Sequence, residues 1–179
     1  MKATHRLTLI ALLLAMAACK PPPTDADMAR AMPEDEPVYA SDPLPSPETE
    51  GAMWAYSSQQ ESRIVYGIPG EPALIALDCL APGLHQSFPA LQITRMSPAD
   101  QGASALLAMV GNGHIGRIGV VADPMGGSFV WKGHSPAEDL VWEALAGPRA
   151  LGITVPGAGR VEMNPSQVPG EFIEACRAS

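Results

Sequence analysis

From Gly51 to Ser179 the chain repeats one pattern: a short run in which apolar and polar positions alternate, then a cluster of Gly, Pro, Ser or Asp. Side chains on an extended strand point to opposite faces in turn, so this alternation predicts half-buried strands. The runs are Met53 to Ser57, Arg63 to Ile68, Ala73 to Cys79, Ala90 to Met96 and Ala105 to Val110. They continue with Ile115 to Ala122, Ser128 to Lys132, Ala150 to Val155 and Arg160 to Met163. Such close spacing favours antiparallel pairing over βαβ units. Two segments switch to helical spacing. In the first, Ser135 is the expected cap, Pro136 the first helical residue and Glu138 the partner in a capping box. Ala137, Leu140, Val141, Ala144 and Leu145 then share a stripe, and Gly147-Pro148 ends it. In the second, Val168, Phe172, Ile173 and Cys176 share a face, with Glu171 and Glu174 off it. The expected fold class is α+β: a mostly antiparallel β-sheet with two short helices, in one domain over residues 51–179.

The start of the chain has a different pattern. Lys2, His5 and Arg6 precede an unbroken apolar run, Leu7 to Ala18. Twelve helical residues span roughly 18 Å, short of a ~30 Å hydrocarbon core, so residues 1–18 are expected to be a secretory signal peptide. Met16-Ala17-Ala18-Cys19 resembles the bacterial lipobox, with Met16 where that pattern usually has leucine. The resemblance implies cleavage after Ala18, a diacylglyceryl group on the Cys19 thiol and acylation (palmitate-type chains) of the new amino group. Two or three acyl chains, at ~0.8 kcal/mol per buried methylene, anchor a protein stably. Lys20 stands where an inner-membrane retention signal would have aspartate. By that analogy the anchor lies in the outer membrane, with the protein facing the periplasm.

Composition breaks again over Lys20 to Glu50, where 31 residues hold eight prolines and eight carboxylates. Little apolar surface is available there to offset the entropy of ordering, so residues 19–50 are expected to form a disordered, extended tether behind the lipid. Met28 and Met32 are four apart, but no histidine or further methionine near them completes a copper set. Across the chain, acidic residues outnumber basic ones 19 to 11, for a net charge of −8. That argues against a nucleic-acid binder, which would need a basic patch or stripe.

With Cys19 lipidated, Cys79 and Cys176 remain, and an oxidising compartment favours a disulfide between them. Cys79 ends an apolar strand and Cys176 lies on the apolar face of the last helix, so the bond would staple that helix to the sheet. Other chemistry is weaker. Gly111-Asn112-Gly113-His114-Ile115-Gly116 fits the dinucleotide GxGxxG, but a strand follows where the pyrophosphate needs a helix, and Gly-Asn-Gly reads as a hairpin turn. Ser135 sits between strand and helix as a hydrolase nucleophile does, but Pro136 lacks the N–H that would serve the oxyanion, and no histidine follows. His85, His114 and His134 fall in expected loops without metal-ligand spacing, and no cofactor or metal is called for. Trp142, beside Asp139 and Glu143 on the polar side of the first helix, is a candidate partner contact unless a neighbouring element covers it.

Two blocks carry a family resemblance. One is Trp54 followed by Ile64-Val65-Tyr66-Gly67-Ile68-Pro69 and a strand ending in Cys79; the other is Val155-Pro156-Gly157 and the terminal Phe172-Ile173-Glu174-Ala175-Cys176-Arg177. Together they are similar to a family of small alphaproteobacterial cell-envelope lipoproteins. The resemblance implies fold and location but no activity. The leading expectation is a non-catalytic interaction or envelope-maintenance module, with inhibition of a periplasmic hydrolase within the same class. The alternatives are a small cell-envelope hydrolase, which needs a pocket lined by convergent titratable groups, and an apolar-ligand carrier, which needs an enclosed cavity.

Overall fold

The computed structural model describes residues 42–83 and 87–179; the signal, the lipobox with Cys19, and most of the tether lie outside them. All nine expected strands form: β1 (Met53–Tyr56), β2 (Arg63–Gly67), β3 (Ile75–Leu80), β4 (Ala90–Pro98), β5 (Ser104–Gly111), β6 (His114–Met125), β7 (Ser128–Pro136), β8 (Leu151–Thr154) and β9 (Arg160–Met163). They make one antiparallel sheet in the order β1-β2-β3-β4-β7-β6-β5-β8-β9. The registers place the apolar member of each alternation on one face. Ile64 stands opposite Leu77, Leu77 opposite Ile93, Leu107 opposite Ile118, and Met109 opposite Ile153. These side chains are buried, and each contributes roughly 1.5–3 kcal/mol by leaving water.

A flat sheet of nine strands would hold its edges about 38 Å apart at ~4.8 Å per strand. Instead the edges meet. Tyr66 Oη on β2 donates to the Glu162 carbonyl on β9 at 3.2 Å and accepts from Asn164 N at 3.1 Å. Asn164 Nδ2 donates to the Ala52 carbonyl, just before β1, at 2.8 Å. The sheet therefore rolls into a barrel, and its seam is closed by side chains where no strand ladder runs. Residues 42–50, placed in the tether by their composition, are held against the barrel. Leu44 N donates to the Gly157 carbonyl at 2.8 Å, and Ser46 Oγ accepts from Arg160 N at 3.0 Å. The tether expected over 19–50 thus gives up its last residues to the folded part.

Helices cover the barrel end where β3 finishes and β4 begins. The terminal helix, Val168–Arg177, forms as expected and buries Phe172, Ile173 and Cys176. Cys79 and Cys176 are disulfide-bonded, 97 residues apart. Arg177 Nε donates to the Ala137 carbonyl and Nη2 to Glu143, both at 2.9 Å. The other helix differs from expectation. β7 runs on through Pro136, and a 3-10 turn at Leu140–Trp142 leads into one α-turn, Glu143–Ala146. The cap is Asp139, whose Oδ1 accepts from Val141 N at 3.1 Å; Ser135 Oγ donates to the other oxygen of the same carboxylate at 2.5 Å. A 3-10 turn takes three residues where an α-turn takes 3.6, which rotates the stripe. Leu140, expected inside, is 78% exposed, while Trp142 turns into the core. Among the described residues no helix is long and apolar enough to cross a membrane.

Candidate functional site

At the other end of the barrel β4 finishes, β5 and β7 begin, and the β8–β9 turn passes overhead. A pocket of about 340 Å³ opens there. Leu44, Pro98, Ala103 and Pro156 supply apolar walls, Trp131 an aromatic one, and Asp42 and Asp100 are the carboxylates lining it. The register of β4 against β7 is irregular between Arg95 and Pro98, the signature of a bulge that ends pairing and re-aims side chains. Trp131 stands directly opposite Arg95 in that register. Arg95 is two residues beyond Ile93, so it belongs to the inward row of β4.

Arg95 is 3% exposed. Its Nη1 donates to the Leu74 carbonyl at 3.2 Å and its Nη2 to the Ala158 carbonyl at 3.1 Å, both neutral acceptors. Burial pushes the guanidinium pKa down from its usual value. Arg95 Nε, Ser97 Oγ and Trp131 Nε1 are buried atoms with no hydrogen-bond partner among the described residues. Ser97 precedes Pro98 of the pocket wall, and Ala158 follows Gly157 of the same wall. An unmet buried donor costs about 1–3 kcal/mol, and more when the group is charged. Three such groups, two of them on residues that stand opposite each other on β4 and β7, are kept at the expense of stability. Of the three residues, Trp131 is the one that lines the pocket.

Comparison of the chain with protein-family models, with curated proteins and with solved structures finds no match.

The residues singled out from sequence are scattered. Met16, Ala17, Ala18, Cys19 and His85 lie outside the described residues. Trp142 is wholly buried, and its Nε1 donates to the Pro136 carbonyl at 2.9 Å, so no partner can reach it. Its neighbours Asp139 and Glu143 suggested a polar face, but the 3-10 turn aims the indole inward. The Gly111–Gly113 stretch is the β5–β6 hairpin: Asn112 and Gly113 both adopt positive φ, at 53° and 84°. Gly116 lies under the carbonyl of Val141, where any Cβ would collide, so this glycine serves packing between strand and 3-10 turn. His114 and His134 are exposed on β6 and β7. No group of three potential metal-ligating side chains occurs among the described residues. A row of polar side chains crosses the outer face, where Arg63, Asp78, Gln92 and His134 stand opposite one another in turn. Its centre is structural: the buried Asp78 carboxylate accepts from Arg63 Nε at 2.5 Å and Nη2 at 3.1 Å. Arg95 was overlooked at the sequence level, although Leu91, Ile93 and Arg95 share one parity. An arginine continuing an apolar row was the available signal.

Proposed function

We propose that the chain is a lipid-anchored, non-catalytic interaction module of the outer membrane's periplasmic face, and that it recognises its partner through the mouth of the barrel. Its carrying observation is the pocket of about 340 Å³ at one end of the barrel, lined by Trp131, whose buried Nε1 has no hydrogen-bond partner among the described residues, with Arg95 directly opposite Trp131 on β4. The likeness of Met16 to Cys19 to a lipobox, and of the two sequence blocks to alphaproteobacterial envelope lipoproteins, supports the location. Hydrogen-bond donors set among apolar walls are the means by which small recognition sites gain orientation and specificity.

Two experiments test this reading. Cys19→Ser should abolish partitioning into detergent and leave unprocessed precursor; normal maturation and partitioning would remove the anchor. Crosslinking and recovery from envelope extracts should capture a partner with the native chain and lose it with Ala105→Phe, which fills the mouth. Equal recovery by both chains would remove the mouth from the reading. The hydrolase alternative is favoured by one feature, the presence of Asp42 and Asp100 on the same pocket. It requires turnover of a cell-wall or lipid substrate that Asp42→Asn reduces.

A further inference from the structure

We infer that the outer face of the β5–β6 hairpin is a membrane contact in its own right, besides the lipid anchor: the barrel lies against an anionic phospholipid surface through Leu106, Val110, Ile115 and Val121, grouped around Arg117. This goes beyond the recognition reading of the mouth, since none of these five residues lines that pocket.

Strand parity puts these residues together. On β5, Leu107 and Met109 are buried in the core, so Leu106, Ala108 and Val110 face out; on β6, Ile118 and Val120 are buried, so Ile115, Arg117, Gly119 and Val121 face out. The register sets Val110 against Ile115, Ala108 against Arg117, Leu106 against Gly119 and Ser104 against Val121. Leu106, Val110, Ile115 and Val121 are each between 45% and 59% exposed. A contiguous apolar patch of this kind marks a docking face. Elsewhere the outer face is polar, with Arg63, Asp78, Gln92 and His134 standing in a row. A barrel that crosses a bilayer needs an apolar band all round, whereas one apolar sector suits a barrel lying on its surface.

Charge selects the occupant. The chain has a net charge of −8, yet the acids that border this face on β6 and β9 are paired. Lys132, opposite Val121, pairs with Asp123. Arg160 pairs with Glu162, and its guanidinium lies over Gly152, which stands opposite Val110. Arg117, between Ile115 and Gly119, pairs with no carboxylate among the described residues. A lone cation ringed by apolar side chains matches acyl chains lying beneath anionic headgroups. A second copy matches it less well. In a two-fold contact the middle of the patch meets itself, which sets Arg117 against its own copy, like charge on like.

Nitroxide labels on the full lipidated chain test the assignment in vesicles of mixed phosphatidylethanolamine and phosphatidylglycerol. Gly119→Cys carries a label within the face, at a position where a Cβ meets nothing within 4 Å, and removes no apolar side chain. His134→Cys carries one in the polar row, where the residue is exposed. The first label should lose most of its collisions with a water-soluble nickel chelate and gain collisions with oxygen; the second should keep its access to water. Arg117→Gln removes one cation near the surface, so the ratio of docked to undocked chain should fall about fivefold. Vesicles of phosphatidylcholine alone should release the face in the same way. Equal access of both labels to the chelate, in protein that sediments with the vesicles, overturns the inference and leaves the anchor standing. Protein left in the supernatant overturns both. Docking unchanged by Arg117→Gln overturns the assignment to an anionic surface. Broadening of the Gly119→Cys label spectrum that is relieved by diluting with unlabelled chain puts a second copy on the face, and overturns the bilayer as its occupant.

Discussion

The two ends of the barrel are built on opposite terms. At the helix-covered end the side chains are tied down. A disulfide fixes the terminal helix, Arg177 binds a carbonyl and two carboxylates, and the indole of Trp142 has its acceptor. At the mouth lie the buried polar atoms that lack partners among the described residues, on Arg95, Ser97 and Trp131. The same strands run between the two ends, so the difference is not one of fold. Stability is concentrated where the chain terminus must be held, and cost is tolerated where something else can offset it. Proteins that keep such costs commonly do so at the sites they use.

The largest effect should come from cutting the staple. Cys79 and Cys176 close a loop of 97 residues, for which the chain-entropy relation gives about 4.7 kcal/mol. Double substitution by serine should lower unfolding free energy by a few kcal/mol in urea titrations, and expose the amides of Val168–Arg177 to hydrogen exchange first. A loss below about 1 kcal/mol would mean that Arg177 and the apolar face of the helix hold that end unaided, and the contrast between the two ends would shrink.

How much of this contrast could be read from sequence follows from how local each part is. The nine strands were legible because alternation is a property of the strand itself, and Cys79 and Cys176 because one ends an apolar strand and the other lies on the apolar face of the last helix. The covering helix was not, since the choice between an α-turn and a 3-10 turn at Leu140–Trp142 depends on β7 continuing through Pro136. The mouth was hidden for a stronger reason. Arg95 meets Trp131 because β4 pairs with β7 across the intervening β5–β6 hairpin, a choice no local pattern encodes. Closure was hidden likewise, because Tyr66 reaches Glu162 and Asn164 only when the seven registers between β2 and β9 have accumulated.

That seam joins the two ends and offers a smaller test. Tyr66→Phe leaves the Asn164 N–H without its acceptor and the Glu162 carbonyl without its donor, at about 2 kcal/mol. Burial raises the Tyr66 phenol pKa above its ordinary 10.0, against a smaller opposing effect of the Asn164 hydrogen bond. Below pH 10 both states keep the proton and stability is unaffected. Above it the unfolded chain ionises first, so stability falls as pH rises through the folded value. The advantage of the native chain over Tyr66→Phe should therefore narrow in alkali. A constant difference up to pH 11 would mean the phenol is not held in its neutral form.

The smallest expected change is a gain, which makes it the sharpest test of the contrast. Ser97 is 5% exposed and its hydroxyl meets no partner among the described residues. Replacing a buried, unmet hydroxyl with a methyl removes a desolvation cost, so Ser97→Ala should stabilise the chain by about 1 kcal/mol. The midpoint of urea unfolding should rise with an unchanged slope. Most substitutions of buried residues destabilise, so a gain here has one ready explanation: the native residue is kept for something other than folding. If Ser97→Ala instead lowers the midpoint, the hydroxyl is satisfied in solution, for instance by an ordered water shared with Arg95 and Trp131. The mouth would then be as well tied as the other end, and nothing in the barrel would distinguish a working face from a structural one.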